Sequence, residues 1–387
     1  MTAIPFLYSM PTRIIHGPGS LGRLGEEAGL LGLRRVLLVS DPGVRKAGLV
    51  ERAQEPLQKA GIAASLFTEV EENPCMATVR RGYDLLRAER LEGVIVIGGG
   101  SAMCAAKAIA LLGSNGGEIS DYEGVGKFAL APLPVIAIPT TAGSGSEVSQ
   151  SFILTNEVRN DKFTVSGPTN FPSMAILDAE LLMSVPPRVA VFAGLDALSH
   201  AVEALWAKGA TPITEALALA AIRSIFANLR RASFSPDLAA KDAMIVASSM
   251  ANMACGNSGL AIVHAIGRFI ESRYHYPHGQ VNGVLLPIGM DFNRPVCARQ
   301  FSAMARGLST RAGDGAETEE RLADRAAGLV RDLMRANDFA LTFDLRPPAA
   351  ELRQMAEATE RYPMTARNAR AVTAADAEAM LRAAFGM

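Results

Sequence analysis

The amino-acid sequence predicts an α/β N-terminal domain with a parallel sheet and a nucleotide site, followed by an all-α C-terminal domain. In the first half of the 387 residues, short apolar runs rich in β-branched residues alternate with helical stretches. This alternation is typical of parallel strands covered by helices on both faces. The second half is rich in Ala, Leu and Met and shows helical patterns. The double proline Pro186–Pro187 separates the halves, because proline interrupts regular elements. We therefore expect two domains, 1–185 and 186–387.

The individual elements follow from the same patterns. Each predicted strand is a continuous apolar run that stops at Gly, Asp or Pro-Thr, and these runs are 35–40, 94–100 and 134–141. Right-handed crossovers should join the strands through helices over 44–60, 76–91 and 102–112. In the second half we expect helices over 193–207, 212–231, 238–254, about 258–273 and 318–336.

Composition excludes several classes of function. The net charge of −1 gives no electrostatic attraction to nucleic acid or to an anionic membrane. The N-terminus lacks a basic start followed by a long apolar run, so no signal peptide is expected. No apolar run suggests a membrane span. The four cysteines form no C-x-x-C pair, which argues for reduced thiols. We expect a cytoplasmic protein that binds neither nucleic acid nor membrane.

A glycine-rich loop, Gly98-Gly99-Gly100-Ser101, joins the second predicted strand to a helix. Glycines let the backbone approach a ligand, and the helix start offers free N–H groups and a positive dipole end, which suit a phosphate. The loop does not match G-x-G-x-x-G, because Met103 stands at the last glycine position. A tight turn without a ligand is the alternative interpretation.

Two further features favour a nucleotide at this edge of the sheet. The loop PTTAGSGSEVS over 139–149, which contains Thr140, Thr141 and Ser144, also follows a strand, and open α/β sheets bind nucleotides where such loops meet. Asp41 ends another strand and could accept from ribose hydroxyls while repelling a 2′-phosphate, which favours NAD over NADP. The alternatives are a flexible surface loop and a helix N-cap in SDPG.

The second half holds a candidate metal site. Asp196 and His200 are four residues apart, so they share one face of a helix. Three of the five histidines lie within 263–279, where we expect His264 on a helix and His278 on a turn. One carboxylate and three imidazoles suit a divalent first-row metal such as Fe(II) or Zn. A purely structural His–Asp pair and a helix-capping His278 remain alternatives, and His275 is interpreted as wall or surface.

Taken together, these residues resemble the iron-containing (group III) alcohol dehydrogenases, which share a fold with glycerol dehydrogenase and dehydroquinate synthase. The matching blocks are IIHGPGSLGRLGE, ENP, GGGS, PTTAGSGSE, GLDALSHAVEA and HYPHGQVNGVLLP. The resemblance implies a dehydroquinate synthase-like fold, with NAD(P) in the α/β domain and a metal in the helical domain, facing the nicotinamide across a cleft. It also implies a homodimer or larger homo-oligomer.

The resemblance assigns roles residue by residue. It implies that Asp196, His200, His264 and His278 are the metal ligands. It implies cofactor contacts at Asp41, Gly99, Gly100, Ser101, Thr140, Thr141 and Lys162, with Asn73 near the adenosine. Three positions depart from the family pattern: Cys104 replaces an Asp, Arg268 replaces a second His, and Ser151 replaces an Asn.

The predicted reaction is reversible hydride transfer between NAD(H) and an alcohol/aldehyde pair, with the metal acting as a Lewis acid on the substrate oxygen. Arg268 lies one helical turn from a ligand and could pair with an acidic substrate. A reductase of acidic aldehydes or keto acids, similar to the maleylacetate reductases, is therefore an alternative. The others are a metal-dependent lyase of the dehydroquinate synthase type and a homologue without catalysis.

Overall fold

A computed structural model describes residues 5–159, 161–309 and 317–387. The chain divides into two compact units. An α/β unit comprises Ser9–Pro186, and a helical unit comprises Pro187–Met387 together with the segment that ends at Tyr8. The predicted first domain, 1–185, includes that N-terminal segment.

The α/β unit is built on a six-stranded sheet in the order β1-β9-β6-β4-β2-β3, in which every pair is parallel. A separate three-stranded sheet has the order β5-β8-β7. The strands are β1 (Arg13–His16), β2 (Arg35–Val39), β3 (Ala63–Phe67), β4 (Gly93–Gly98), β5 (Gly124–Val125), β6 (Val135–Pro139), β7 (Ser151–Asn156), β8 (Asp161–Ser166) and β9 (Met174–Leu177).

The predicted strands β2, β4 and β6 lie next to one another in the large sheet. Their Val, Ile and Leu side chains are buried, which fits a sheet covered on both faces. The helices of this unit are α1 (Leu24–Leu30), α2 (Pro42–Lys46), α3 (Leu49–Lys59), α4 (Met76–Ala88) and α5 (Gly100–Asn115). The helix expected over 44–60 is two helices, because Gly48 adopts a left-handed conformation (φ 75°) between them.

The sequence does not predict the smaller sheet. β7 and β8 form an antiparallel hairpin, and β5 adds to β8 in parallel. In β7 the buried Phe152 and Leu154 alternate with the more exposed Ile153 and Thr155, which is the period-two pattern of a strand with one covered face.

The order of the large sheet defines where a ligand is expected. The chain runs from β2 outward to the edge strand β3, returns to β4 beside β2, and then builds the sheet in the opposite direction through β6. Such a switch point lies between the carboxyl ends of β2 and β4, and open α/β sheets bind ligands there. Asp41 follows β2, and the glycine loop follows β4.

The helical unit has no strand among its described residues. Its helices are α6 (Pro187–Trp206), α7 (Pro212–Phe234), α8 (Leu238–Ser258), α9 (Ile262–Tyr274), α10 (His278–Asn293), α11 (Ala298–Leu308), α12 (Glu319–Ala336), α13 (Ala349–Arg361) and α14 (Ala374–Ala384). Side-chain caps fix several starts, as at Thr211 before α7 and Asp237 before α8. The predicted fold class, a parallel α/β region followed by a helical region, is confirmed.

Two helices, α6 and α7, are long and apolar enough to span a membrane by length and composition alone. From the sequence we expect no membrane span. In α6, 78% of the apolar window is buried inside the protein, and in α7 33% is buried. The core helix of a globular protein meets the same criteria, and α6 also carries the buried polar residues Asp196, His200 and Glu203.

Candidate metal centre and cofactor loops

Asp196, His200, His264 and His278 converge in the helical unit. One donor atom from each lies within 4.8 Å of every other. From Asp196 Oδ1 to the Nε2 atoms, the distances are 3.9 Å for His200, 3.8 Å for His264 and 3.3 Å for His278. The first three residues are buried, whereas the His278 side chain is 42% exposed. The cluster is therefore enclosed except on the His278 side.

Three helices deliver the four side chains. Asp196 and His200 are one turn apart on α6, and His264 lies in the first turn of α9. His278 is the first residue of α10, after Pro277, so the expectation that it lies on a turn is wrong. Pro277 supplies the N-cap and the helix begins one residue later. The backbones of α6 and α10 are in close contact here. A Cβ atom on Gly279 would lie only 2.1 Å from the Phe192 carbonyl oxygen.

Two carboxylates that sequence reasoning missed orient the imidazoles. Glu203 Oε2 lies 2.6 Å from His264 Nδ1, and Glu271 Oε1 lies 2.6 Å from His278 Nδ1. Glu203 is fully buried, and its Oε1 also accepts from the Val263 N–H at 2.7 Å. A carboxylate at Nδ1 favours the tautomer with hydrogen on Nδ1, so the Nε2 lone pair faces the cluster.

The protonation states suit metal binding. Burial lowers the pKa of His200 to about 4, so its ring is neutral at pH 7. Burial opposes ionisation of Asp196, but the three imidazoles and the hydrogen bond from Asn282 together bring its pKa below the usual value. A neutral imidazole and an ionised carboxylate are the forms that bind metal ions.

The cluster passes a test of fit for a divalent ion. Four donors at about 2.0–2.2 Å from one tetrahedral ion lie roughly 3.3–3.6 Å apart, close to the 3.3–3.9 Å found around Asp196 Oδ1. His200 Nδ1 is buried and without a hydrogen-bond partner among the described residues. Asn282 Nδ2 lies 3.0 Å from His264 Nε2, which is consistent with a lone pair on that ring nitrogen. The residues present therefore fit Fe(II) or Zn.

Arg268 lies one turn after His264 on α9, as expected, and its side chain has a partner within the protein. Its Nη1 donates to the Tyr362 hydroxyl at 2.8 Å, and its guanidinium stacks 5.0 Å from the Tyr362 ring centroid. Glu271, three residues after Arg268, is paired with His278. His275 is exposed and ends α9 in a left-handed conformation (φ 56°), in agreement with its interpretation as a surface residue.

In the α/β unit, the two predicted loops touch. A Cβ on Gly99 would lie 3.4 Å from Thr141 Oγ1, and a Cβ on Gly100 would lie 3.2 Å from Ser144. The Thr140 N–H donates to the Gly98 carbonyl at 3.1 Å. Gly99 is the N-cap of α5 and has no side chain, so the N–H groups at the start of this helix are available to an anion.

The remaining predicted cofactor residues border the same loops. Ser101 Oγ accepts from the Asn73 N–H at 3.2 Å, and Thr155 Oγ1 donates to the Asn73 carbonyl at 2.9 Å. The register of β7 and β8 places Lys162 opposite Thr155.

Asp41 combines both interpretations offered by the sequence. One oxygen, Oδ1, accepts from the Val44 N–H at 3.0 Å and caps α2. The other, Oδ2, would lie 3.4 Å from a Cβ on Gly98, so it borders the glycine loop at the switch point. Asp41 therefore caps α2 through Oδ1, while Oδ2 lies at the switch point, where a ligand is expected.

Lys107 is a buried residue that sequence reasoning did not use. Its Nζ donates to the carbonyl oxygens of Ser146, Ser149 and Ser151 at 3.0, 3.1 and 2.7 Å. Burial lowers its pKa to about 8, whereas the nearby Cys104 and Glu147 act in the opposite direction. Lys107 therefore ties α5 to the end of the second loop. Cys104 faces the same region, where its sulfur accepts from the Ile153 N–H at 3.5 Å.

Comparison with known proteins agrees with this geometry. Residues 11–179 match the family model described as iron-containing alcohol dehydrogenase, and residues 190–385 match that of the C-terminal domain of the Fe-containing alcohol dehydrogenase family. A probable alcohol dehydrogenase, EutG of Escherichia coli K12, is 39% identical over 313 residues, which are 79% of this chain and 78% of that protein.

Two solved structures extend the likeness to the whole chain. A 1,3-propanediol oxidoreductase superposes with a TM-score of 0.95 at 32% identity, covering 99% of this chain and 100% of the other. A sulfoacetaldehyde reductase from Bifidobacterium kashiwanohense, in complex with NAD⁺, has a TM-score of 0.90 at 28% identity, with 99% of each chain covered. The matches favour the dehydrogenase over the lyase. The chain belongs to the iron-containing alcohol dehydrogenase family, and it is an NAD(P)-linked, metal-dependent alcohol dehydrogenase, as the sequence predicted.

Proposed function

We propose that the protein interconverts small alcohols and aldehydes with NAD(H), using a divalent metal held by Asp196, His200, His264 and His278. The observation that carries this proposal is the buried convergence of one carboxylate and three imidazoles within 4.8 Å. When bound, the metal supplies a Lewis acid for the substrate oxygen, and the nicotinamide exchanges the hydride. Fe(II) is favoured by the family.

One unit binds the metal and the other binds the cofactor. Residues 186–387 hold the metal, and residues 1–185 hold the cofactor at the switch point. There the N–H groups at the start of α5 bind the pyrophosphate, and the free oxygen of Asp41 accepts from ribose hydroxyls. A 2′-phosphate at that place would meet a carboxylate, so NAD is preferred over NADP. The cofactor contacts proposed are Asp41, Asn73, Gly99, Gly100, Ser101, Thr140, Thr141, Ser144 and Lys162.

The protein's own side chains prepare the metal centre. Glu203 and Glu271 hold two imidazoles with their Nε2 lone pairs inward, and burial keeps His200 neutral. The exposed side of His278 leaves a route by which solvent can take up or deliver the substrate proton. Burial of the other three donors excludes bulk water from the rest of the cluster.

A second candidate substrate class is an acidic aldehyde. It is supported by Arg268, a cation one turn from His264, and by the likeness to a structure described as a sulfoacetaldehyde reductase. Against it, one Arg268 donor is already used by Tyr362. A guanidinium has five N–H donors, so four remain for a carboxylate or sulfonate. We rank neutral substrates first and acidic ones second.

We also propose a cytoplasmic homo-oligomer. All four cysteines are free, which suits a reducing compartment. The strand β1 is at the edge of the large sheet, and an edge strand is a place where a second chain can add to a sheet. Phe6 and Leu7, which precede it, are 50% and 85% exposed. Light scattering on the purified protein would give the assembly size, and a monomer at micromolar concentration would contradict this proposal.

The deciding experiment follows absorbance at 340 nm with protein loaded anaerobically with Fe(II) or with Zn. NADH and NADPH are each offered with neutral and with carboxylated aldehydes. We expect NADH oxidation that stops on chelation and is faster with neutral aldehydes. Arg268→Ala should leave the ratio between the two aldehyde sets unchanged, and a selective loss on carboxylated aldehydes would instead establish the second class. Absence of turnover with either metal would contradict the proposal.

A further inference from the structure

Asn282 lies at the centre of the ligand cluster, although it is not one of the four donors. It is fully buried and stands one turn after His278 on α10. Its Nδ2 is 2.9 Å from Asp196 Oδ1, 3.0 Å from His264 Nε2 and 3.0 Å from His278 Nε2. A single amide nitrogen thus faces donor atoms of three ligand side chains, which lie on three different helices.

The orientation of the amide follows from its surroundings. Asn282 Oδ1 is buried and has no hydrogen-bond partner among the described residues. It lies against α9, where a Cβ on Gly267 would come within 2.9 Å of it. Rotating the amide by 180° would turn its oxygen towards three other lone pairs and its N–H groups towards Gly267. Since like partial charges repel, the orientation with Nδ2 inward is the stable one.

The amide has two hydrogens for three acceptors. In the metal-free protein it faces the Nε2 atoms of His264, which is buried, and of His278, and so offers a donor to their lone pairs. The His264 and His278 lone pairs are the donors that a cation uses. The hydrogen bond from Asn282 Nδ2 to Asp196 Oδ1 can persist when a cation binds, because a carboxylate oxygen has more than one lone pair.

We propose that Asn282 is a positioning residue of the metal centre. Its Nδ2 fixes the Asp196 carboxylate and keeps the donors of α6, α9 and α10 converged before metal binds. This inference rests on the metal site proposed above. Without the amide, the Asp196 carboxylate should be free to rotate. Metal binding must then restore the converged arrangement of the donors, which lowers the affinity of the site for the ion.

The test measures metal binding and does not depend on turnover. Metal-free protein is titrated with Co(II), whose visible absorption reports occupancy, in competition with a chelator of known affinity. The variants are Asn282→Ala and Asn282→Leu, the second of which keeps the volume but has no donor. Asn337→Ala is the matched control, because Asn337 is also a buried amide of the helical unit and its Nδ2 donates to a backbone carbonyl, Leu333 O, at 2.8 Å.

We expect both Asn282 variants to bind Co(II) about 10–100-fold more weakly, as for other residues that support metal ligands, while Asn337→Ala binds as the wild type does. The melting temperature of each metal-free variant is measured in parallel. A lowered melting temperature with unchanged Co(II) affinity would mean a structural role and would overturn the inference. Failure of the wild type to bind Co(II) would overturn both the metal site and the inference.

Discussion

The three histidines of the cluster are held in two different ways. His264 and His278 each have a carboxylate 2.6 Å from Nδ1. His200 has no such partner, and burial, together with the two neighbouring imidazoles, lowers its pKa to about 4. The stability of the metal-free protein should therefore depend on pH through His200.

The metal-free protein should lose stability as the pH falls through the His200 transition. An unfolded His titrates near 6.5, whereas the folded group titrates near 4. Between these values the unfolded state binds more protons, so stability is complete above about pH 6.5 and declines towards pH 4. The loss is on the order of 3 kcal/mol. Denaturant unfolding at several pH values, with chelator present, measures it.

His200→Gln should have a shallower decline over that range, and His275→Gln, which alters an exposed imidazole, should keep the wild-type slope. Equal slopes for all three proteins would show that His200 is not the group responsible.

The sequence predicted the histidine ligands because histidine is rare in this chain. Only five histidines occur, so three within seventeen positions stood out. Glu203, Glu271 and Asn282 did not, because acidic and amide residues are common. Helical spacing was an available signal: Glu271 is seven residues after His264, and Asn282 is four after His278, so each shares a face with a ligand. The pairing of Glu203 with His264 depends on how α6 crosses α9, which spacing does not reveal.

At the scale of elements, α5 is the part that joins the two cofactor loops. It begins at the glycine loop, and its buried Lys107 reaches the end of the second loop. The sequence did not predict the smaller sheet because β7 and β8 alternate in burial, whereas the predicted strands are continuous apolar runs. The strand β3 was missed because its sequence, AASLF, has no β-branched residue.

Lys107→Met should loosen the second loop. The carbonyl oxygens of Ser146, Ser149 and Ser151 would lose the Lys107 ammonium as their donor. Each buried carbonyl left unpaired lowers the free energy of unfolding by about 1–3 kcal/mol. We expect a lower melting temperature and a KM for NADH raised several-fold, with a smaller effect on kcat. Steady-state kinetics with varied NADH measures this. Lys59→Met removes an exposed ion pair with Glu55 and serves as control. An unchanged KM for NADH would refute the role of Lys107 in the loop.

At the scale of the whole molecule, the chain forms two compact units that the sequence distinguishes by pattern, and we propose that one holds the cofactor and the other the metal. The change from alternating strands and helices to helices alone is visible in composition, because parallel strands need continuous β-branched runs and α-helices do not. The grouping of the N-terminal segment with the helical unit has no such signal, since Phe6 and Leu7 are simply apolar residues before a strand.

Metal removal should lower the unfolding temperature of the protein. The ligands come from α6, α9 and α10, so an ion that binds only the folded state joins three helices. At a hundred times its dissociation constant the ion adds about 2.7 kcal/mol. Calorimetry with chelator and with added Zn or Co(II) measures the shift. His264→Ala should show no response to metal, and an equal response in that variant would place the ion elsewhere.

The spacing of the ligands along the chain has a consequence for biosynthesis. Asp196 and His200 leave the ribosome first, but neither can retain an ion until α9 and α10 have emerged and packed against α6. Domains generally fold in the order in which they are made, so we expect the glycine-rich loops of the α/β unit to form before the metal ligands converge. Metal capture is therefore a late step in the maturation of this enzyme. Because donor sets of this kind accept several divalent ions, the ion bound at that step should depend on which metals the cell supplies.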